Sequence, residues 1–135
     1  MDRRAYLAAV GTAAGLTGCL GLGPTSDAYD VGMTAQAFRP REVVVETGDR
    51  VVWRNTSTRA HSVTAYENGI PNGASYFATG GFDTEATARE AWNRNRGVVT
   101  TDEEYARRFE IPGTYAYFCI PHEEARMVGT VTVES

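Results

Sequence analysis

Short stretches of alternating apolar and polar residues, separated by glycine and proline, follow one another from residue 29 onward. Alternation with a period of two is typical of strands with one buried face, and the abundance of Val, Thr, Tyr and Phe also favours strands over helices. About seven short strands with frequent turns indicate an all-β fold, arranged as a Greek-key β-sandwich or barrel. Residues 47–49 form a glycine-containing turn that suits a tight connection between two of these strands. The predicted strands cover residues 29–34, 42–46, 50–55, 61–66, 104–111, 114–119 and 128–133.

The middle of the chain, residues 67–101, is the least strand-like part, because several glycines and a proline interrupt it. Asp83 and Thr84 are candidate N-caps for a short helix over residues 85–93. We therefore expect a loop and short-helix insertion that packs against the β core, with Trp92 as a contact residue. This insertion either shapes a docking surface or covers the edge of a sheet.

Composition limits the classes of function. A chain of 135 residues holds one ordinary domain, and its formal net charge is −4 with all thirteen basic residues being arginine. Nucleic-acid binding normally requires a basic patch or stripe, so this balance argues against a nucleic-acid partner. Nothing in the sequence requires a second domain, and we expect a monomer.

The N-terminus has the layout of an export signal. In residues 1–18 a positive pair, Arg3 and Arg4, precedes an uncharged run containing Ala, Gly and Leu. This run is too short to span a membrane, which takes about 20 apolar residues. The paired arginines resemble a twin-arginine signal, which is the route for proteins exported already folded. Residues 1–18 are therefore predicted to be a signal peptide.

A cysteine follows this signal directly. Residues 16–19 resemble a lipoprotein box, in which cleavage precedes Cys19 and lipid is attached to its sulfur. Residues 19–28 then form a flexible tether rich in Gly, Pro and Ser, and the domain occupies residues 29–135. The alternative is that Cys19 is an incidental small residue in a simple cleaved signal or an uncleaved anchor. Lipidation predicts a protein anchored to the outer face of the cell membrane.

One short stretch near the C-terminus places a thiol, an imidazole and a thioether together, as Cys119, His122 and Met127. A second imidazole, His61, begins the inward face of an upstream strand and is expected at the end of the sandwich, beside the loops. Two His and one Cys bound strongly, with one Met bound weakly, are the ligands of a blue-copper site. These four residues are therefore the predicted copper ligands.

Each of these residues also has a structural interpretation. Met127 alone is more often core or loop filler, Cys119 alone is often a buried apolar residue, and His61 alone is often a satisfied interior histidine. The chain has only two histidines, and both fall at positions compatible with one site. Zinc is the nearest rival metal, but structural zinc prefers four Cys or His ligands, and Met substitutes poorly.

The residues from 29 to 135 resemble a cupredoxin, and they are most similar to the halocyanin and plastocyanin-like proteins. Both ends of the domain match, and the segment 65–103 matches weakly. The resemblance implies a Greek-key β-sandwich, a single type 1 copper cycling between Cu(I) and Cu(II), and one-electron transfer through His122. It rests on Phe38-x-Pro40, Val43-x-Val45-x-x-Gly48-Asp49-x-Val51-x-Trp53-x-Asn55, His61, Pro112-Gly113-Thr114-Tyr115-x-Tyr117-x-Cys119-x-x-His122 and Met127-Val128-Gly129-x-Val131.

Electron transfer between membrane-bound redox complexes is the first functional hypothesis, with redox proteins docking around His122. Four protein ligands leave no open coordination position, so no enzymatic reaction is expected. Copper buffering or delivery on the same fold is the alternative, and a structural or sensory sandwich with an empty site is a third. Glu123 and Glu124 are either steering charges for a positively charged partner or two solvated acids.

Two positions depart from the family pattern. An Asn commonly follows the first His and ties the two ligand loops together, but this chain has Ser62. A Gly commonly precedes the axial Met, whereas Arg126 stands here. The arginine would raise the copper potential if it lay close to the metal, and would do little if it pointed to solvent.

Overall fold

A computed structural model of the protein describes residues 28–135. The predicted signal peptide, the lipid-anchor residue Cys19 and all but the last residue of the predicted tether lie outside the described residues. Within the described part, no helix combines the length and the apolar character needed to cross a membrane.

Residues 28–135 contain eight strands, one α-helix and two short 3-10 helices. The strands form two four-stranded sheets, a first sheet in the order β2-β1-β4-β6 and a second in the order β3-β8-β7-β5. The predicted all-β sandwich is therefore confirmed. The strands are β1 (Val31–Met33), β2 (Phe38–Arg39), β3 (Glu42–Glu46), β4 (Arg50–Asn55), β5 (Thr64–Ala65), β6 (Glu104–Arg108), β7 (Gly113–Phe118) and β8 (Val128–Glu134).

Strands from distant parts of the chain are neighbours in both sheets. β1 pairs with β4 in parallel, and β3 pairs with β8 in parallel, while the other pairs are antiparallel. The short turn predicted at residues 47–49 is present, with Gly48 at φ 91°, but it joins β3 and β4, which lie in different sheets. The turn therefore carries the chain from one layer to the other and does not close a hairpin.

The core lies between the two sheets and is centred on Trp53, which is fully buried. Its ring lies 5.4 Å from that of Tyr117 in an edge-on arrangement and 5.6 Å from that of Tyr105. The rings of Phe77 and Phe109 each lie 6.4 Å from it. Aromatic pairs in this distance range stabilise the fold by more than the burial of their surface alone. These rings therefore form the centre of the core.

The insertion contains the single α-helix of the described residues, α1 (Glu85–Trp92). Thr84 is its N-cap, and its hydroxyl accepts a hydrogen bond from the Thr87 N–H. Ala88 and Ala91 are buried, whereas Trp92 is only half-buried. The helix therefore approaches the sandwich through small side chains.

The same insertion covers the edge of the second sheet at β5. The Ala65 N–H donates to the carbonyl of Phe77 at 3.0 Å, and the Thr79 N–H donates to the carbonyl of Val63 at 2.8 Å. Residues 61–65 are consequently buried on both faces, and only Thr64 and Ala65 form a regular strand. The alternation seen in the sequence predicted one buried face and a longer strand, which is wrong for this segment because the insertion covers its second face.

Candidate metal centre

Three of the four predicted ligands meet at one end of the sandwich. The candidate ligand atoms of His61, Cys119 and His122 all lie within 4.8 Å of one another. The Cys119 Sγ lies 3.4 Å from the Nδ1 of His61 and 3.4 Å from the Nδ1 of His122. His61 comes from the segment before β5, and the other two come from the loop between β7 and β8.

The arrangement fits a single metal ion. Two ligand atoms that each bind one ion at about 2.0–2.3 Å are separated by distances of this size. Two imidazoles and one thiolate form the trigonal His₂Cys set that is typical of blue copper. Both rings present the same nitrogen, Nδ1, to the thiol, so no side chain has to change its orientation to share an ion.

The ligand loop, residues 119–127, closes on itself through backbone hydrogen bonds. The His122 N–H donates to the Cys119 carbonyl at 3.1 Å, and the Cys119 N–H donates to the Met127 carbonyl at 3.0 Å. The Met127 N–H donates to the His122 carbonyl at 3.2 Å. Short 3-10 turns over Ile120–Ala125, with Pro121 near their start, complete the loop.

Met127 is fully buried, and its backbone hydrogen bonds with Cys119 and His122 place it next to these two candidate ligands. This position supports the predicted axial role of Met127, which stays a prediction. Arg126, the residue before it, adopts the left-handed conformation at φ 65° and ψ 36°, and it is exposed. The left-handed position explains why glycine is the easiest residue to place there.

The thiol of Cys119 lies in a buried environment. Burial raises the pKa of Cys119 to about 11, while N–H groups of Ser62 and His122 act in the opposite direction. The Ser62 N–H lies 3.4 Å from the Sγ. The free thiol is therefore protonated at neutral pH, and a metal ion must displace that proton when it binds.

The two imidazoles differ in exposure. His61 is fully buried and His122 is half-buried. Burial, and to a smaller extent the nearby His122, lowers the pKa of His61 to about 4. Burial also lowers the pKa of His122, with a smaller contribution from the guanidinium of Arg59. Both rings are therefore neutral at neutral pH, which is the form that binds a metal.

Ser62 provides the tie between the two ligand segments that the resemblance to cupredoxins leads us to expect from an Asn. Its hydroxyl accepts a hydrogen bond from the Ile120 N–H at 2.9 Å and pairs with the Thr64 hydroxyl at 2.8 Å. Because Ile120 directly follows Cys119, this bond joins the segment of His61 to the loop of the thiol. The departure from the family pattern therefore leaves the loops connected.

Asn55 organises the loop above His61, a role that its position at the end of a predicted strand does not indicate. It is fully buried, and its amide donates to the carbonyls of Arg59 at 2.7 Å and Val99 at 2.9 Å. Its side-chain oxygen accepts from the N–H and the hydroxyl of Ser57, both at 2.8 Å. The same Ser57 hydroxyl lies 3.0 Å from the Nε2 of His61. An Asn before a Thr-Ser-Thr run is a turn signal that indicates such a role.

The two acidic residues after His122 are not equivalent. Glu124 is exposed, but Glu123 accepts hydrogen bonds from Arg89 and from the hydroxyl of Tyr66. These contacts hold the pKa of Glu123 below its usual range, with the Arg89 hydrogen bond as the largest cause. Glu123 is therefore neither a free steering charge nor a solvated acid.

A β-sandwich that holds a thiol between two imidazoles at one end defines a small copper-binding protein. Residues 26–134 match the profile of the copper binding proteins of the plastocyanin/azurin family. Plastocyanin from Scenedesmus fuscus is 34% identical over 100 residues, which cover 74% of this chain and 89% of that protein.

Solved structures show the same likeness. Amicyanin from Paracoccus versutus aligns with a TM-score of 0.56 and 29% identity over 80% of this chain and 82% of its own. Pseudoazurin from Methylobacterium extorquens aligns with a TM-score of 0.55 and 23% identity, over 78% of this chain and 73% of its own, which shows the fold. The chain therefore belongs to the plastocyanin/azurin family of copper-binding proteins, the cupredoxins, which are electron carriers and not enzymes.

Proposed function

We propose that this protein is a one-electron carrier with a single type 1 copper ion, bound strongly by His61, Cys119 and His122 and weakly by Met127. The observation that carries the proposal is the convergence of three ligand atoms within 4.8 Å in a member of a copper-binding family. The copper ion supplies the change between Cu(I) and Cu(II).

The surroundings of the site suit electron transfer. His61 and Cys119 are fully buried, and Ser62 joins their two segments by donating its N–H to the Cys119 sulfur and accepting from the Ile120 N–H. A ligand set that is held in place needs little rearrangement when the charge of the metal changes, so electrons move faster. His122 is half-buried, with the exposed Pro121 beside it, and is the ligand through which a redox partner would exchange electrons.

Copper binding is tested with the full chain and its two cysteine variants. Cu(II) is added to the wild type, to Cys119→Ser and to Cys19→Ser, and the visible spectrum and the reduction potential are recorded. We expect an intense thiolate-to-copper band in the wild type and in Cys19→Ser, and its loss in Cys119→Ser. A colourless wild type, or a band that survives Cys119→Ser, contradicts the proposed site.

Copper buffering or delivery is separated from electron transfer by the same experiment. The chain contains only two histidines and three methionines, which is few for a protein that stores or passes on copper through open sites. Reversible reduction and reoxidation of the blue protein supports electron transfer. A blue protein that cannot be reversibly reduced favours copper handling.

We further propose that lipid on Cys19 anchors the protein to the outer face of the cell membrane, where it serves membrane-bound redox proteins as a monomer. The signal-like residues 1–18 and the lipoprotein-box pattern support this location. Cys19→Ser should release the protein into the soluble fraction, and unchanged membrane retention contradicts lipidation.

A further inference from the structure

An ion-pair cluster connects the insertion to the ligand loop. The guanidinium of Arg89, on α1, donates to Glu123 through two nitrogens, at 2.8 Å and 3.2 Å. The same guanidinium donates to Glu85, one turn earlier on the helix, at 2.9 Å and lies 2.8 Å from it through a second nitrogen. One arginine therefore spans from α1 to the residue that directly follows His122.

A stacked pair of rings extends this contact to the other end of the loop. The Arg89 guanidinium lies 4.3 Å from the ring centre of Phe118, the residue directly before Cys119. Tyr66 stacks on the same Phe118 ring at 4.3 Å, and its hydroxyl donates to Glu123 at 2.7 Å. The cluster thus touches the chain on both sides of the Cys119 to His122 segment.

The start of α1 is itself fixed to the sandwich. The Glu85 N–H donates to the carboxylate of Glu67 at 3.0 Å, and the Glu67 N–H donates to the carboxylate of Glu85 at 2.9 Å. Tyr66, next to Glu67, bonds through its N–H to the Ala116 carbonyl of β7 at 3.0 Å. Arg89 therefore holds Glu123 from a helix whose own position is set by reciprocal hydrogen bonds.

The loop depends on such a contact because burial does little to hold its outer part. Residues Ile120–Ala125 include none that is buried, and their 3-10 turns supply few backbone hydrogen bonds. We propose that Arg89 is a positioning residue that holds the His122 segment in place through Glu123, so that the insertion acts as a brace for the ligand loop. The link to copper rests on the proposed function, whereas the brace itself does not.

The chain offers a matched control at the end of the same helix. Arg94, two residues after the last residue of α1, pairs with Glu90 at i,i+4, as Arg89 pairs with Glu85. That pair is exposed, and among the described residues Arg94 makes no hydrogen bond or ion pair to the ligand loop. We compare Arg89→Gln with Arg94→Gln in the metal-free full chain. The measurement is hydrogen exchange at the backbone amides of His122, Arg126 and Met127, each of which donates within the loop.

Arg89→Gln should accelerate exchange at these three amides about ten-fold, since a charge-assisted contact that limits local opening is lost. Amides in β7 and β8 should keep their rates, and Arg94→Gln should match the wild type. Glu123→Gln should resemble Arg89→Gln, and the double variant should add little to either, because both residues belong to one interaction.

The results separate the brace from the copper proposal. Unchanged loop exchange in Arg89→Gln, or equal acceleration in the strands and in Arg94→Gln, overturns the brace. In the copper-loaded protein the brace predicts a shifted reduction potential and slower electron self-exchange for Arg89→Gln but not for Arg94→Gln. Faster loop exchange in a chain that binds no copper would leave the brace standing and overturn the proposed function.

Discussion

The two segments that carry the candidate ligands are held by different interactions. The upstream segment, residues 55–65, ends in five buried residues and is organised by the buried amide of Asn55. In the downstream segment, residues 119–127, the part over Ile120–Ala125 contains no buried residue. One side of the site is therefore fixed by the core, whereas the other is fixed by short turns and by an ion pair at the surface.

This difference divides the tasks of the two imidazoles. His61 sits where the packing of the sandwich leaves little freedom, and His122 sits where the surface can be reached by another protein. A site built in this way has one metal ligand that the core holds in place and one that a partner protein can reach. The difference also predicts that substitutions upstream change stability more than substitutions downstream.

The largest expected effect is that of Asn55→Ala. The substitution removes four hydrogen bonds of a fully buried side chain and leaves the Val99 carbonyl without that partner. We expect the free energy of unfolding to fall by about 3–4 kcal/mol, measured by urea denaturation. Asn72→Ala, at an exposed loop position, should change it by less than about 0.5 kcal/mol. Equal losses in the two variants would show that the buried amide of Asn55 does not organise the upstream segment.

A smaller effect is expected from acid in the metal-free protein. The pKa of His61 is about 4 in the folded state against its ordinary value of 6.5, so the unfolded state binds more protons between these two pH values. Stability should therefore fall as the pH is lowered from 6.5 to 4, by on the order of 2 kcal/mol. His61→Gln should flatten most of this slope, leaving the share of His122. An unchanged slope in that variant would show that the buried imidazole is not its source.

The smallest effect is expected downstream, at Arg126→Gly. Glycine adopts a φ of 65° without the steric cost that arginine carries, although it also gains freedom in the unfolded chain. We expect a gain in stability of less than about 1 kcal/mol and an unchanged visible spectrum of the copper-loaded protein. Thermal unfolding measures the change in stability, and the visible absorbance of the copper-loaded protein shows whether the spectrum changes. A loss of stability would show that the exposed arginine makes contacts that hold the loop.

Much of the fold was predictable from local signals. β3, β4, β7 and β8 follow stretches of Val, Thr and aromatic residues, and their bounds agree with the sequence to within a residue. The meeting of His61 with the Cys119 loop was also predictable, since both lie at ends of strands and the family pattern joins them. The N-cap of α1 at Thr84 is a further local signal that the structure bears out.

Other interactions between distant residues were not predictable. Residues 61–65 are buried on both faces because the insertion covers them. The spacing of apolar residues along this segment does not indicate where the insertion packs. The same is true of Glu123, because nothing in its neighbours along the chain indicates that Arg89, 34 positions away, would neutralise it. Ser62 stands where an Asn is expected, and its link to the ligand loop, a hydrogen bond accepted from the Ile120 N–H, is visible only in the structure.

The position of β8 has a consequence for biosynthesis. It lies between β3 and β7, pairing with one in parallel and with the other antiparallel, although it is translated after both. A nascent chain that has not yet delivered residues 128–134 has no bridge between those two strands, and Cys119 and Met127 are not yet held together by their backbone bond. The ligand loop is therefore closed only after β8 has been synthesised and has paired with β7.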